Sequence, residues 1–350
     1  MRENFWKKLN EPFFCLAPMS DVTDSAFRYL LAKYGKNSDN INSIVFWAEF
    51  VAADGLCNKF ARKKLAHILK FSPAEKPIVA QVFGANPENM KKACQYISSL
   101  GFDGIDINMG CPDKSVVAQG AGSALIRTPA LARKIIQSAI EGTAVAGQYL
   151  PISVKTRIGF NKEEIDTWIP ELLKEDISAL TVHLRTKKEE SLVPANWSLI
   201  PRIRDLINKS GKDILLIGNG DVVDIDDARR KCKEYGCDGV MIGRGVFGKP
   251  DFFATTSEHN LTRHQNDTLS STEERNQWIL FKIKTLVEHI RIFDKELLKT
   301  GDKSYAVMKK HFKAYLSGFP GAQELRNKLM LTNKPSESIS ILSTYLKTLK

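Results

Sequence analysis

The 350-residue chain is 43% hydrophobic, enough to build a large core, and its length fits one large domain with a smaller one. Its 51 lysines and arginines exceed its 40 acidic residues, so the net charge of +11 favours a polyanionic partner such as nucleic acid, although an ordinary basic enzyme also fits. No apolar run approaches the roughly 20 residues of a membrane-spanning helix, and no signal-peptide pattern opens the chain, so we expect a soluble, cytoplasmic protein without membrane contact.

Between residues 13 and 247, short apolar runs alternate with segments of helical periodicity. Eight runs predict strands: FCLAPM, SIVFWAEF, PIVAQVFG, GIDINMGC, PISVKTRIG, ALTVHLR, DILLIGNG and GVMIGRGVF. Stretches such as 87–100, 129–140 and 224–235 are long enough for crossover helices, which indicates parallel strands. Eight such units match an α/β fold, the closed (β/α)8 TIM barrel, with an open doubly wound sheet as the alternative.

Alternation along these strands predicts polar side chains inside the barrel. In the fifth strand Ile152, Val154 and Ile158 form the apolar outer face, so Lys155 points inward. The same reasoning on the third, fourth and sixth strands points inward Gln81, Asn108 and His183. Each residue alone could be a satisfied core group. Together, near the C-terminal strand ends, they indicate a site, because a buried lysine is costly without an anion to pair with.

The last two strands end in glycine-containing loops, Gly218-Asn219-Gly220-Asp221 and Gly243-Arg244-Gly245. Such loops let backbone amides approach an anion, and Arg244 adds a forked donor suited to phosphate. A phosphorylated planar cofactor across the barrel mouth fits, and flavin mononucleotide (FMN) would place Lys155 near the flavin's N1 side. A sugar-phosphate substrate would use the same loops and is the alternative.

The chain changes character after the predicted barrel. We predict a barrel over residues 1–250, a polar linker over 251–270 and a helical domain over 271–350, with a potential capping box at Ser271 and Glu274. Residues 301–350 contain nine lysines and arginines against three acidic residues. The segment MKKHFKAY would bury its apolar side chains and expose Lys309, Lys310 and Lys313, either for nucleic acid or as a solvated surface.

The six cysteines are scattered, without a C-x-x-C pair or a histidine–cysteine cluster at zinc spacing. This predicts reduced thiols, with neither a disulfide framework nor a metal site. Cys111 is different in its surroundings, because it stands between a glycine and a proline and precedes a glycine-rich loop. A small apolar filler would require neither.

The stretch INMGCPDKSVVAQGAGSAL resembles the active-site signature of the tRNA-dihydrouridine synthases, N-x-G-C-P followed by a lysine and a glycine-rich loop. Further segments resemble that family in the expected order: APMSDVTDSAFR, QVFG, VKTRIG, VHLRT, IGNGDV, MIGRG and the C-terminal KHFKAYLSGFPGAQELR. The resemblance implies FMN-dependent reduction of the C5–C6 double bond of specific tRNA uridines to dihydrouridine, with NADPH as reductant. It also implies a (β/α)8 barrel followed by a small RNA-binding helical domain.

The resemblance also implies residue roles. Cys111 is the expected catalytic residue, since a hydride delivered from the flavin to uracil C6 requires a proton donor to C5 on the opposite face. A thiol with a pKa of about 8.5 is mostly protonated at neutral pH. The expected FMN-binding residues are Ala17, Pro18, Met19, Gln81, Asn108, Lys155, His183, Asn219, Gly220, Asp221, Gly243 and Arg244. The expected tRNA-binding residues are Lys114, Arg185, Lys309, Lys310, Lys313 and Arg326, in a protein expected to be a monomer.

Two other functions stay open. An FMN barrel of the dihydroorotate dehydrogenase type, acting on a free pyrimidine, would share the proton-donor cysteine but would need no basic helical tail. A non-catalytic tRNA-binding protein could keep the barrel as a scaffold, and its effects on RNA would survive replacement of Cys111. The sequence does not specify which tRNA uridine is modified, or whether NADPH is preferred to NADH.

Overall fold

The computed structural model describes residues 4–37, 39–144, 149–254 and 272–349. The chain divides into two compact units. Unit 1 takes the described residues of Met1–Pro18, Asn42–Lys70 and Glu75–Gly243. Unit 2 takes those of Met19–Ile41, Phe71–Ala74 and Arg244–Lys350.

Unit 1 is a closed barrel of eight parallel strands, each paired with the next in chain order. The last strand pairs back onto the first, with Phe13 opposite Gly239 and Leu16 opposite Ile242, which closes the barrel. This confirms the predicted (β/α)8 fold. The strands are β1 Phe13–Leu16, β2 Ile44–Trp47, β3 Ile78–Phe83, β4 Gly104–Met109, β5 Ile152–Arg157, β6 Ala179–His183, β7 Leu215–Asn219 and β8 Gly239–Ile242. A short strand, Val51–Ala52, adds to the C-terminal end of β3.

Both faces of these strands are buried, so the runs are almost continuously apolar. The outward side chains of β4, Ile105, Ile107 and Met109, are fully buried. At one closely packed point a side chain on Gly239 would meet the Phe13 ring at 2.4 Å, so only glycine fits there. The polar side chains of these strands therefore face the barrel interior.

Helices connect the strands, as the sequence predicts. The expected crossover segments are helices at Pro87–Ser98, Pro129–Thr143 and Ile225–Tyr235. Proline stands at the first turn of the first two, and the Asp224 carboxylate accepts from the Asp227 amide at 2.7 Å to cap the third. The other α-helices of unit 1 are Ala53–Cys57, Lys59–Leu65, Lys114–Ala118, Ile165–Leu173 and Ile200–Ser210.

Unit 2 is helical, with α-helices at Ser25–Gly35, Thr272–Phe293, Met308–Tyr315, Ala322–Met330 and Pro335–Thr348. Its core includes Leu286, Ile290, Phe312 and Leu329, and Ala26 joins it from the helix that follows β1. Residues 251–254, at the start of the predicted linker, are buried. The rest of that linker and Ser271 lie outside the described residues. No helix in the described part of the chain is long and apolar enough to cross a membrane.

Candidate active site

Four polar side chains from β3, β4 and β5 form a hydrogen-bonded network inside the barrel. Gln81 Nε2 donates to Asp106 Oδ2 at 2.7 Å, and Asn108 Nδ2 donates to Gln81 Oε1 at 2.9 Å. Ser153 Oγ donates to the other Asp106 oxygen at 2.6 Å. All four residues are buried, and burial raises the pKa of Asp106 to about 6. The network fixes the orientation of both amide side chains.

The Cys111 loop is anchored to this network. Asn108 Oδ1 accepts from the Gly110 amide at 3.1 Å and from the Cys111 amide at 2.9 Å. The Cys111 carbonyl accepts from the Ser123 amide at 3.1 Å. Gly122 has φ +59°, and a side chain there would lie 3.0 Å from the Cys111 oxygen, so the glycine-rich loop closes directly over this backbone. Hydrogen bonds to both its amide and its carbonyl therefore hold the Cys111 backbone in place.

The half-buried Cys111 thiol is kept protonated by its surroundings. Burial raises the pKa of Cys111 above its ordinary value, and the positive charges of Arg157 and Lys155 oppose this only in part. A thiol in this state can donate a proton at neutral pH. A raised pKa disfavours an activated thiolate nucleophile at this position.

Lys155 extends from β5 toward the end of β7. Its Nζ lies 3.2 Å from Asn219 Oδ1, and Asn219 Nδ2 donates to the Met241 carbonyl at 2.8 Å. Among the described residues, no carboxylate lies within ion-pair distance of Lys155, and burial with nearby Arg157 lowers the pKa of Lys155 to about 8. The ammonium group is thus mostly charged at neutral pH. It suits an anionic or carbonyl-bearing ligand.

His183, Arg185 and Asp221 form a second cluster at the same strand ends. Arg185 Nη1 lies 3.1 Å from His183 Nε2, and Arg185 Nη2 donates to the Asp221 carboxylate. Asp221 follows Gly220 with a positive φ of 47°, and Gly220 itself has φ +132°. Arg185 is only 3% exposed, and its guanidinium group contacts both His183 and Asp221. Its expected contact with the target nucleotide stays a prediction.

The remaining predicted FMN residues lie at chain turns. The Ala17 amide donates to the Ile242 carbonyl at 2.8 Å, which joins the ends of β1 and β8, and Pro18 and Gly243 follow these strands half-buried. Met19 and Arg244 belong to unit 2, where Met19 is half-buried and Arg244 is exposed. Unit 1 by itself therefore brings together most, and not all, of the predicted set.

The predicted tRNA-binding residues differ in their exposure to solvent and in their contacts with other residues. Lys114 is exposed at the start of its helix, next to the Cys111 loop in sequence. In unit 2, Lys313 is exposed, whereas Lys310 Nζ lies 3.5 Å from Asp21 and Lys309 is half-buried. Arg326 Nη1 donates to the Leu316 carbonyl at 3.2 Å.

Three residues of the site, Asp106, Ser153 and Arg157, were not among the predicted site residues. Asp106 joins Gln81 to Ser153, and Arg157 donates through Nε to the Gly110 carbonyl at 2.8 Å and through Nη1 to the Thr186 carbonyl at 3.0 Å. Strand alternation places Arg157 on the same side as Lys155, so this pattern could have identified it. Its partners could not be found in the same way, because they lie 47 and 29 residues away.

The arrangement defines a class of protein, a (β/α)8-barrel enzyme with a polar site and a protonated cysteine at the C-terminal strand ends. Within the described residues, no group of three or more histidine, cysteine or acidic side chains is placed to hold a metal ion. The model of the family "Dihydrouridine synthase (Dus)" matches residues 15–350. The chain belongs to this family and is an oxidoreductase.

Known proteins similar to the chain agree with this membership. A probable tRNA-dihydrouridine synthase 2 of Bacillus subtilis is 38% identical over 99% of the chain and 97% of its own length. A probable tRNA-dihydrouridine synthase of Staphylococcus aureus is 36% identical over 99% and 96%. Among solved structures, histamine dehydrogenase from Rhizobium superposes with a TM-score of 0.51 at 13% identity, over 80% of this chain and 51% of that one. That likeness concerns the fold alone.

Proposed function

We propose that the protein is a tRNA-dihydrouridine synthase that uses FMN and NADPH to reduce the C5–C6 double bond of uridines in tRNA. The observation that carries this proposal is Cys111, a protonated thiol whose backbone is fixed by Asn108 and Ser123 at the mouth of a polar barrel. Family membership and the names of the relatives support the same reaction.

The interior fits a flavin by its donor chemistry. Gln81 and Asn108 are held in fixed orientations, and Lys155 is a buried ammonium without a carboxylate at ion-pair distance among the described residues. We assign the ring system and ribityl chain to Ala17, Pro18, Met19, Gln81, Asn108, Lys155 and His183. We assign the phosphate end to Asn219, Gly220, Asp221, Gly243 and Arg244. Bound FMN, reduced by NADPH, would supply the hydride that uracil C6 accepts.

Cys111 would complete the reduction by donating its thiol proton to uracil C5. Because burial raises the pKa of Cys111, the proton is present at the start of the reaction throughout the neutral range. The thiolate left behind would be stabilised by Lys155 and Arg157, whose charges both favour the ionised sulfur. Burial, which raises the pKa of Cys111, would then favour return of the sulfur to its starting state through uptake of a proton from solvent.

The target base must leave its stack to reach such a site, so the tRNA backbone has to be held meanwhile. We assign this contact to the helical domain of residues 271–350, through Lys309, Lys310, Lys313 and Arg326, with Lys114 and Arg185 nearer the target nucleotide. We further propose that the protein acts as a cytoplasmic monomer, which sedimentation and cell fractionation would check.

The test is dihydrouridine formation in unmodified tRNA with FMN and NADPH. Cys111→Ala should lower product formation about 10²- to 10⁴-fold, the range for loss of a general acid, while tRNA affinity and flavin content stay unchanged. Cys57→Ala, which removes another half-buried thiol, is the matched control and should retain activity. Wild-type protein that reduces orotate or free uridine but not tRNA would contradict the proposal, and so would a fully active Cys111→Ala.

A further inference from the structure

A short basic helix of unit 1 has no role in the site described above. The helix Lys59–Leu65 lies within NKFARKKLAHILK, residues 58–70, which contains five lysines and arginines and no acidic residue. Lys59, Lys63 and Lys64 are exposed, and no described carboxylate lies within ion-pair distance of them. Phe60 stands among them with 83% of its surface exposed. This combination of unpaired cations and an open aromatic ring is typical of surfaces that bind nucleic-acid strands.

Side-chain contacts anchor the helix. Its N-terminal cap is Asn58, whose side chain accepts from the Phe60 and Ala61 amides, both at 3.0 Å. The Arg62 guanidinium stacks 4.5 Å above the Tyr96 ring and donates through Nε to the Leu56 carbonyl at 2.5 Å. The backbone that carries the exposed side chains is thus fixed before any ligand arrives, which lowers the entropic cost of binding.

The helix also lies at the catalytic end of the barrel. It follows Ala53–Cys57, which begins directly after the short strand Val51–Ala52, and Ala52 pairs with Phe83, the last residue of β3. Leu65 packs against that preceding helix, because a side chain on Gly55 would meet Leu65 Cδ1 at 2.5 Å. Since all eight strands are parallel, the C-terminal end of β3 and the Cys111 loop after β4 are on the same end of the barrel.

We propose that this basic helix is a second tRNA contact, in which Lys59, Lys63 and Lys64 bind backbone phosphates and Phe60 stacks on an unpaired base. The inference rests on the proposed function, since it takes tRNA as the ligand. Charge complementarity favours RNA over an apolar partner, because three unpaired ammonium groups surround the single ring. Its position at the mouth end lets a tRNA whose uridine has entered the barrel touch the helix at the same time.

The test compares two variants with matched controls in tRNA binding at several salt concentrations. Lys59→Ala/Lys63→Ala/Lys64→Ala should weaken binding about tenfold or more at low salt and reduce the slope of log K against log salt by about two to three. Phe60→Ala should weaken binding about 5- to 100-fold with an unchanged slope, and Phe60→Trp should restore it. The triple lysine variant and Phe60→Ala should both show a raised KM for tRNA, with kcat and NADPH oxidation unchanged.

The control Lys134→Ala/Lys209→Ala/Lys233→Ala removes the same charge from three exposed lysines of the outer helices and should bind as wild type. Wild-type tRNA affinity and salt slope in both test variants overturn the inference, as does an equal loss in the control. Loss of binding to phosphatidylglycerol vesicles, with tRNA binding intact, would assign the surface to a membrane instead. Wild-type protein that binds no tRNA overturns the proposed function as well, whereas a tRNA-reducing wild type with unaffected variants overturns only this contact.

Discussion

Two buried polar clusters, one in each unit, are built in opposite ways. In the barrel, Gln81, Asp106 and Asn108 are joined by directional hydrogen bonds of 2.7 and 2.9 Å. In unit 2, His289 and His311 lie with ring centroids 4.5 Å apart, and neither His289 nitrogen has a hydrogen-bond partner in the described part of the chain. The first cluster is positioned by its polar atoms, and the second is packed as aromatic rings. Only the first has the fixed geometry that a binding site requires.

The difference extends to the charge state of the two clusters. Burial raises the pKa of Asp106 to about 6 in the barrel, whereas burial lowers the pKa of His289 well below its ordinary value and that of His311 to about 3. The nearby charges of Lys303 and Lys310 add to the effect on His311. Both histidines are therefore neutral in the folded protein, in line with a core role.

The largest expected effect comes from breaking the barrel network. Asp106→Leu leaves Gln81 Nε2 and Ser153 Oγ without their acceptor, at about 1–3 kcal/mol each, so we expect a loss of about 2–4 kcal/mol in the free energy of unfolding after relief of the buried carboxylate. Chemical denaturation would measure it. Asp106→Asn, which keeps the shape and one acceptor oxygen, should lose less. Equal stability of Asp106→Leu and wild type would show that the network does not hold the site.

The sequence alone predicts the strands that carry this network but not the hydrogen bonds within it. Apolar runs and strand alternation identify eight strands and the inward side chains of Gln81, Asn108 and Lys155, because these depend on periods of a few residues. That Asp106 lies opposite both Gln81 and Ser153 depends on the register between separate strands. Periodicity within one segment carries no information about that register.

The same limit explains what sequence reasoning missed in unit 2. The helical periodicity of Trp278, Phe281, Leu286, Ile290 and Phe293 predicts a buried face. All of these residues are in the core except Phe281, which is half-buried. That the helix Ser25–Gly35 joins this unit, and that Lys310 has Asp21 as a partner 289 residues away, follows from tertiary packing alone. Counting charges along the chain therefore overstates how many lysines are free to bind RNA.

The second prediction uses the pH dependence of the free energy of unfolding to distinguish the two clusters. The unfolded histidines titrate near pH 6.5 while the folded ones stay neutral, so below pH 6.5 the unfolded state binds more protons and stability falls as pH falls. The expected loss is about 1.4 kcal/mol per pH unit for each histidine, which continues for His311 down to about pH 3. Asp106 acts in the opposite sense, since its raised pKa favours the folded state as pH falls through about 6.

The measurement is the free energy of unfolding between pH 8 and 5 for wild type and for His289→Leu/His311→Leu. The difference in unfolding free energy between the variant and wild type should be constant above pH 7 and should shift increasingly in favour of the variant below pH 6.5. Parallel pH profiles of the two proteins would mean that the histidines are protonated in the fold, and the contrast between the clusters would then be lost.

The smallest expected effect is the most specific test of the contrast. His289→Leu at pH 7.5 removes two ring nitrogens that have no partner in the described part of the chain and replaces the ring by an apolar side chain of similar volume. Its stacking on Phe27, with centroids 5.4 Å apart, is lost, but the desolvated nitrogens are lost as well. We therefore expect a change within about 1 kcal/mol of wild type, in either direction.

The matched change in the barrel, Gln81→Leu, breaks the hydrogen bonds to Asp106 and Asn108 and should cost about 2–4 kcal/mol in the free energy of unfolding. Thermal and chemical unfolding of the two variants side by side would measure both. A cost for His289→Leu as large as that for Gln81→Leu would mean that buried water satisfies the histidines and that the two clusters are built alike.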